Sequence, residues 1–273
     1  MTTTQRVDLP WLERRSLEVI TTEQAPNGAY PASPTFSAYQ GFCWFRDGSF
    51  IADGMSAAGA PTSATAFHDW CAEVVQRHAA IIRRAVDAAA AGTPLQGSQL
   101  LPTRFTLAGE LGNDDWWDFQ LDGYGTWLWA LAEHAGRHRL DPDRWRPAAE
   151  LVADYLLSSW RRPCYDWWEE HSEQVHVSTL GCIAAGLRRA ATDGLVGGDR
   201  AVGCLAAADE IVALIEADGT ADGHLTKWLG TDAVDASLAA LIAPLGLFPA
   251  DSPLGRGTIA AIDDQLCVEG GVY

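Results

Sequence analysis

Strand-like alternation of apolar and polar residues is almost absent from this 273-residue chain, which argues against sheet-based folds and leaves helical periodicity dominant. No segment offers roughly 18 uninterrupted apolar residues. The amino end, MTTTQRVDLPWLERRS, lacks an apolar core of signal-peptide length. Neither a membrane span nor an export signal is therefore expected. Basic charge is also scarce, with 19 Lys and Arg against 36 Asp and Glu, a formal net charge of -17. The basic residues stand singly or in short pairs such as Arg83-Arg84. Nucleic acid and anionic membrane are thus unexpected partners, and a neutral ligand is favoured over a polyanion.

Sequence motifs for several chemistries are missing too. No GxxxxGK[ST], GxGxxG after a strand, or GxSxG supports phosphate, dinucleotide or serine-hydrolase chemistry. His134 and His138 have i,i+4 spacing without HExxH, and Gly136 between them predicts a fraying helix end. Asp114, Asp115, Asp118 and Asp122 lack EF-hand spacing and its final Glu. No metal and no cofactor is expected. The six cysteines form no CxxC pair and sit several times among Ala and Leu, as core thiols of a reducing cytoplasm would.

What is present is helix and long loop. The pattern predicts helices over Pro10–Ile20 and Gly48–Ala58, a long one capped by Ser63 and closed by Gly92, and others over 121–138 and 143–160. Further helices are predicted over Gln174–Ala191, Asp199–Ala217, Asp232–Ala243 and Leu254–Leu266. The Gly/Pro-rich loops between them are long enough to be functional. Paired antiparallel helices wound into a ring, with one set of loops lining a pocket, make an all-α toroid forming one domain over residues 1–273. About nine helices would leave a six-hairpin ring about three short. The end at EGGVY, a turn signal followed by an aromatic, makes the chain look like the amino-terminal portion of a longer one.

Twelve tryptophans are the compositional anomaly. Trp116, Trp117, Trp127, Trp129, Trp160, Trp167 and Trp168 fall beside acids, as aromatic faces for sugar rings would, or else fill core. Glu169 and Glu170 stand behind Trp167 and Trp168. Desolvation by indoles and a second nearby carboxylate both raise a carboxyl's pKa, which acid-assisted cleavage of a glycosidic bond requires. The competing reading makes one Glu a helix cap and the other a solvated charge. In FCWFRDGSF, Arg46 and Asp47 offer a guanidinium fork and an acceptor suited to vicinal hydroxyls, or form an ordinary salt bridge at a helix start. The stretch NDDWWDFQLDGYG supplies a further acidic and aromatic wall.

Taken in order, these segments resemble the glucoamylase-type glycoside hydrolases of family 15. The resemblance rests on the Trp44–Asp47 block, the block from Trp116 through Gln120 to Gly125, the Tyr165–Glu170 block, and the segment from Leu225 through Asp235-Ala236-Ser237-Leu238 to Asp251. It implies an (α/α)6 toroid and inverting exo-attack at the non-reducing end of an α-glucoside such as isomaltose or a short oligosaccharide, releasing β-glucose. By position, Glu169 resembles the family's general acid, and Glu170 the neighbouring carboxylate on the leaving side. Arg46 and Asp47 resemble the pair that holds the terminal glucose, Trp44, Trp116 and Trp168 the pocket walls, and Asp166 a supporting acid. Asp122 is placed with them as substrate-binding.

The family's general base lies in the last third of the toroid, beyond Tyr273, so this chain alone is expected to be inactive. Exposed apolar faces would then need the missing carboxyl-terminal segment or a second copy of the chain as cover. A non-catalytic carbohydrate-binding protein, and a trehalase or phosphorylase on the same toroid, are the alternatives.

Overall fold

The computed structural model of the chain describes residues 8–112, 119–268 and 271–272. Among them are ten α-helices: α1 (Leu9–Glu23), α2 (Phe45–Ala57), α3 (Pro61–Arg77), α4 (Ala79–Ala90), α5 (Asp122–His138), α6 (Arg146–Ser159), α7 (Val177–Thr192), α8 (Gly198–Asp218), α9 (Ala239–Ile242) and α10 (Pro253–Leu266). Nine were expected. The long helix predicted up to Gly92 breaks at His78, a residue outside helical geometry that separates α3 from α4. The helix predicted over Asp232–Ala243 shrinks to a single 3-10 turn and the four residues of α9. Gly136 does not fray its helix: α5 runs through it to a left-handed Arg139.

Helices α2, α5 and α7 pack side by side as an inner layer, while α3, α6 and α8 cover them in hairpin fashion. This succession of inner and outer helices is the repeating unit of an α/α toroid. Burial follows the layering, with α5 and α7 buried along most of their length and carrying the core. Their close approach depends on glycine: a Cβ on Gly125 would lie 2.5 Å from the Cys182 carbonyl oxygen, and one on Gly186 2.1 Å from that of Gly125. On α1 no residue is buried, and Leu9, Trp11, Leu12 and Val19 are exposed.

All six cysteines are free and five are buried, as core thiols should be. Trp127, Trp129 and Trp160 are core residues as well, so those three tryptophans belong to packing. No helix among the described residues is long and apolar enough to cross a membrane.

The two inner helices α2 and α5, and α7 beside them, begin at the loops that carry the acids and aromatics. Strand β1 (Phe42–Trp44) runs directly into α2 and pairs antiparallel with β2 (Arg104–Thr106), setting Trp44 opposite Arg104. Beyond α8, β3 (Thr220–Ala221) and β4 (His224–Leu225) form a small hairpin that leads into the loop of Lys227 and Asp235.

Candidate active site

Asp47 and Asp122 lie in the first turns of α2 and α5, where the helix dipole favours a carboxylate. Arg46, also in the first turn of α2, is the cation against which both are set. Its Nη1 donates to Gln120 Oε1 at 2.7 Å and to Asp122 Oδ2 at 2.8 Å, Nη2 donates to the Trp167 carbonyl at 3.3 Å, and Nε stands 3.5 Å from Asp47 Oδ2. Burial alone would lower the pKa of Arg46, but Asp122 and Asp47 outweigh it and keep the guanidinium charged. Asp122 itself has no exposed surface. It lies behind Arg46, so it can orient that side chain.

Arg46 and Asp47 line a cavity of about 270 Å³ together with Trp44, Trp167, Trp168, Glu169, Tyr39 and Ala32. Three polar atoms of lining residues, Trp44 Nε1, Asp47 Oδ2 and Trp167 Nε1, are buried and make no hydrogen bond within the protein, and the first two offer a donor and an acceptor. Such groups are costly unless a partner is supplied, and a hydroxyl can be donor to one and acceptor from the other.

Glu169 is half buried in this cavity. Burial raises its pKa, opposed by the charge of Arg46, the indole N–H of Trp44 and the charge of Arg104. The Trp44 N–H is close enough to favour the charged carboxylate but falls short of full hydrogen-bond geometry. The pKa of Tyr39 is raised as well, by burial and then by the nearby charges of Glu169 and Asp47.

A tight turn sets the direction of Glu169. Its φ is +62°, and that of His171 is +50°, the left-handed region that non-glycine residues seldom occupy, at a cost of about 1–3 kcal/mol each. Asp166 holds the turn in place. Its Oδ1 accepts the N–H groups of Trp168 at 3.0 Å and Glu170 at 2.8 Å, and its carbonyl accepts the N–H of Glu169 at 3.1 Å. Trp168 is about half exposed, and its Nε1 donates to both oxygens of Asp235 at 3.0 and 2.9 Å. Burial would raise the pKa of Asp235, yet the Ser237 hydroxyl and N–H, the Trp168 indole and Lys227 together lower it.

Of the nine residues expected at the site, five line this cavity: Trp44, Arg46, Asp47, Trp168 and Glu169. Asp122 and Asp166 lie buried behind it as supports, and Glu170 is exposed and not part of the lining, 3.8 Å from His171 Nε2. Trp116 lies outside the described residues, as do Asp114, Asp115, Trp117 and Asp118. Tyr39, Trp167, Gln120 and Asp235 take part in the arrangement without having been assigned to it. The signal for Tyr39 was its place in the Gly/Pro-rich loop before Trp44, and Gln120 and Asp235 lie inside the recognised sequence blocks.

Comparison with known proteins agrees with the helical layering. An isomaltose glucohydrolase of Kribbella flavida is 49% identical over 96% of this chain and 68% of its own length. A trehalase of Mycolicibacterium smegmatis is 30% identical over 96% of this chain but only 42% of its own. A glycosidase variant solved in complex with glucose superposes with a TM-score of 0.93 at 49% identity, covering 96% of this chain and 71% of that one. Residues 12–273 match the family model of the glycosyl hydrolases family 15, and the chain belongs to that family, with the family's all-α toroidal architecture.

Proposed function

We propose that this glycoside hydrolase removes glucose from the non-reducing end of isomaltose or a short α-gluco-oligosaccharide, with inversion at the anomeric carbon and Glu169 as general acid. One observation carries the reading: a half-buried carboxyl with a raised pKa shares a single cavity with Arg46, Asp47 and Trp44. Glu169 can hold the proton that the departing glycosidic oxygen must receive as positive charge develops on the sugar ring. Arg46 and Asp47 are suited to grip hydroxyls of the terminal glucose, with Trp44, Trp167 and Trp168 offering aromatic faces to its C–H surface.

The cavity volume supports exo-action. About 270 Å³ lies below the roughly 300–1,000 Å³ that receive drug-sized ligands, so it suits one sugar ring better than a threaded chain. The name of the 49%-identical relative supports isomaltose as the substrate, and the glucose complex of the similar glycosidase supports a small sugar as ligand. Six unpaired thiols suit a reducing cytoplasm.

The experiment is a time-resolved proton NMR assay of the full-length protein with isomaltose, with trehalose in parallel. Each hydrolysis also frees the reducing-end glucose as an anomeric mixture, so the β-anomer should at first exceed its equilibrium share. An initial excess of the α-anomer would overturn inversion, and glucose from trehalose but not isomaltose would overturn the substrate.

A further inference from the structure

The 273 residues contain a single lysine, Lys227; every other basic side chain apart from histidine is arginine. It stands beside the turn that carries Glu169, with its side chain only 16% exposed. Its Nζ lies 3.3 Å from Asp166 Oδ2, 3.3 Å from Asp235 Oδ2 and 3.9 Å from Glu170 Oε2. Asp166 and Asp235 are both buried. Two buried carboxylates converging on one point repel each other unless a cation lies between them. Asp166 Oδ2 accepts no hydrogen bond, so the ammonium compensates it as an ion pair.

The two acids do different work. Asp166 fastens the left-handed turn at Glu169 through the N–H groups of Trp168 and Glu170. Asp235 fastens the indole of Trp168, a wall of the cavity, and is fixed by Ser237 N at 2.9 Å and Ser237 Oγ at 2.5 Å. Lys227 is the joint between them. An ammonium presents three donors around one point and can serve three acceptors lying in different directions, whereas the donors of a guanidinium lie in one plane. That difference gives a physical reason for lysine at this position. Lys227 is not among the residues that line the cavity.

Resting on the assignment of Glu169 as the acid, we propose that Lys227 is a positioning residue: it ties the Asp166-held turn to Asp235 and Trp168, fixing the acid relative to the cavity wall. Loss of the tie lets the left-handed turn relax and moves the Glu169 carboxyl, while Arg46 loses at most its contact with the Trp167 carbonyl and stays held by Gln120 and Asp122, so the Arg46/Asp47 grip on the sugar is largely kept. Displacement of a reacting group by about 1 Å costs about 100-fold in rate.

Lys227→Met keeps the aliphatic stem and removes the charge. In the full-length protein its kcat on isomaltose should fall about 10- to 100-fold with KM changed less than about threefold. Amide hydrogen exchange in the 166–171 segment should accelerate at least about tenfold, because Trp168 and Glu170 lose their fixed acceptor. Lys227→Arg, which retains a cation and so protects the fold, should show both effects to a smaller degree, and it decides the question if the Met variant does not fold. Unchanged kcat or unchanged segment exchange in the folded variants overturns the inference. Glu169→Gln measured in the same assay separates the two claims. An active Glu169→Gln defeats the acid assignment, while segment exchange still reports whether Lys227 holds the turn. An inactive Glu169→Gln beside normal Lys227 variants defeats the positioning role alone.

Discussion

Replacing Asp122 by alanine isolates the contribution of the buried ion pair behind the cavity. Asp122 has no exposed surface, Arg46 is 8% exposed, and their contact is 2.8 Å. At an effective dielectric constant of about 20, two unit charges at that distance attract by about 6 kcal/mol, most of which is spent on desolvating both groups. Removing one partner leaves the desolvation of the other uncompensated, and such losses run to about 3–5 kcal/mol. Arg46 would retain Gln120 Oε1 at 2.7 Å and Asp47 at 3.5 Å, so the lower end applies, about 3 kcal/mol. Asp122→Asn keeps the shape and an acceptor oxygen and should lose about half as much. Equilibrium urea denaturation of the wild type and both variants gives these differences. Calorimetric titration with glucose should also show weaker binding in Asp122→Ala, because Arg46 no longer keeps its place in the cavity lining. A loss below about 1 kcal/mol, with glucose affinity unchanged, would refute the claim that Asp122 supports Arg46.

Gly186→Ala should destabilise the α5–α7 contact by about 3 kcal/mol or more, since its Cβ would sit 2.1 Å from the Gly125 carbonyl oxygen, whereas Gly54→Ala on α2, with open space around it, should gain about 0.5–1 kcal/mol; calorimetric melting reads both. Acid should destabilise the fold through His134, which is buried with Nδ1 2.9 Å from Ser56 Oγ and Nε2 2.8 Å from Thr65 Oγ1. Burial, then the charges of His138, Arg137 and Arg144, lowers its pKa from 6.5 to about 4. Above the unfolded value both states are neutral; as pH falls from about 6.5 towards 4 the unfolded chain takes a proton that the native one refuses, so stability drops by up to about 3 kcal/mol and then levels. His134→Asn should flatten that decline in a pH series of denaturation curves, and an identical slope would count against it.

Much of the fold was legible because apolar periodicity marks any helix that buries a face. The boundaries of α5, α7, α8 and α10 are within a few residues of those predicted. The break at His78 was not legible: neither Gly nor Pro marks it, and the apolar pattern continues across it. The short form of α9 escaped for the related reason that Ala- and Leu-rich sequence suits a helix whether or not packing extends it. At the site, adjacency in sequence showed Arg46-Asp47 and Trp168-Glu169, which share the cavity. Division of labour between the acids was hidden. Asp122 read as a substrate contact, and Asp166 as a supporting acid of unspecified partner, because a carboxylate beside tryptophan looks the same whether it faces a sugar or a guanidinium. Only the fold shows that Asp122 turns to Arg46 and Asp166 to its own loop. Lys227 and Asp235 lie about 60 residues from that turn, and no local pattern joins them to it.

The central claim, that Glu169 delivers the proton to the leaving oxygen, is tested most directly by Glu169→Gln in the full-length protein on two substrates. In isomaltose the leaving group is the O6 oxygen of the second glucose, which must be protonated to depart, whereas α-glucosyl fluoride loses fluoride with little need for an acid. Turnover of isomaltose should fall about 10²- to 10⁴-fold while turnover of the fluoride stays within about tenfold of wild type. Equal losses on both substrates, or near-normal turnover of isomaltose, would contradict the assignment.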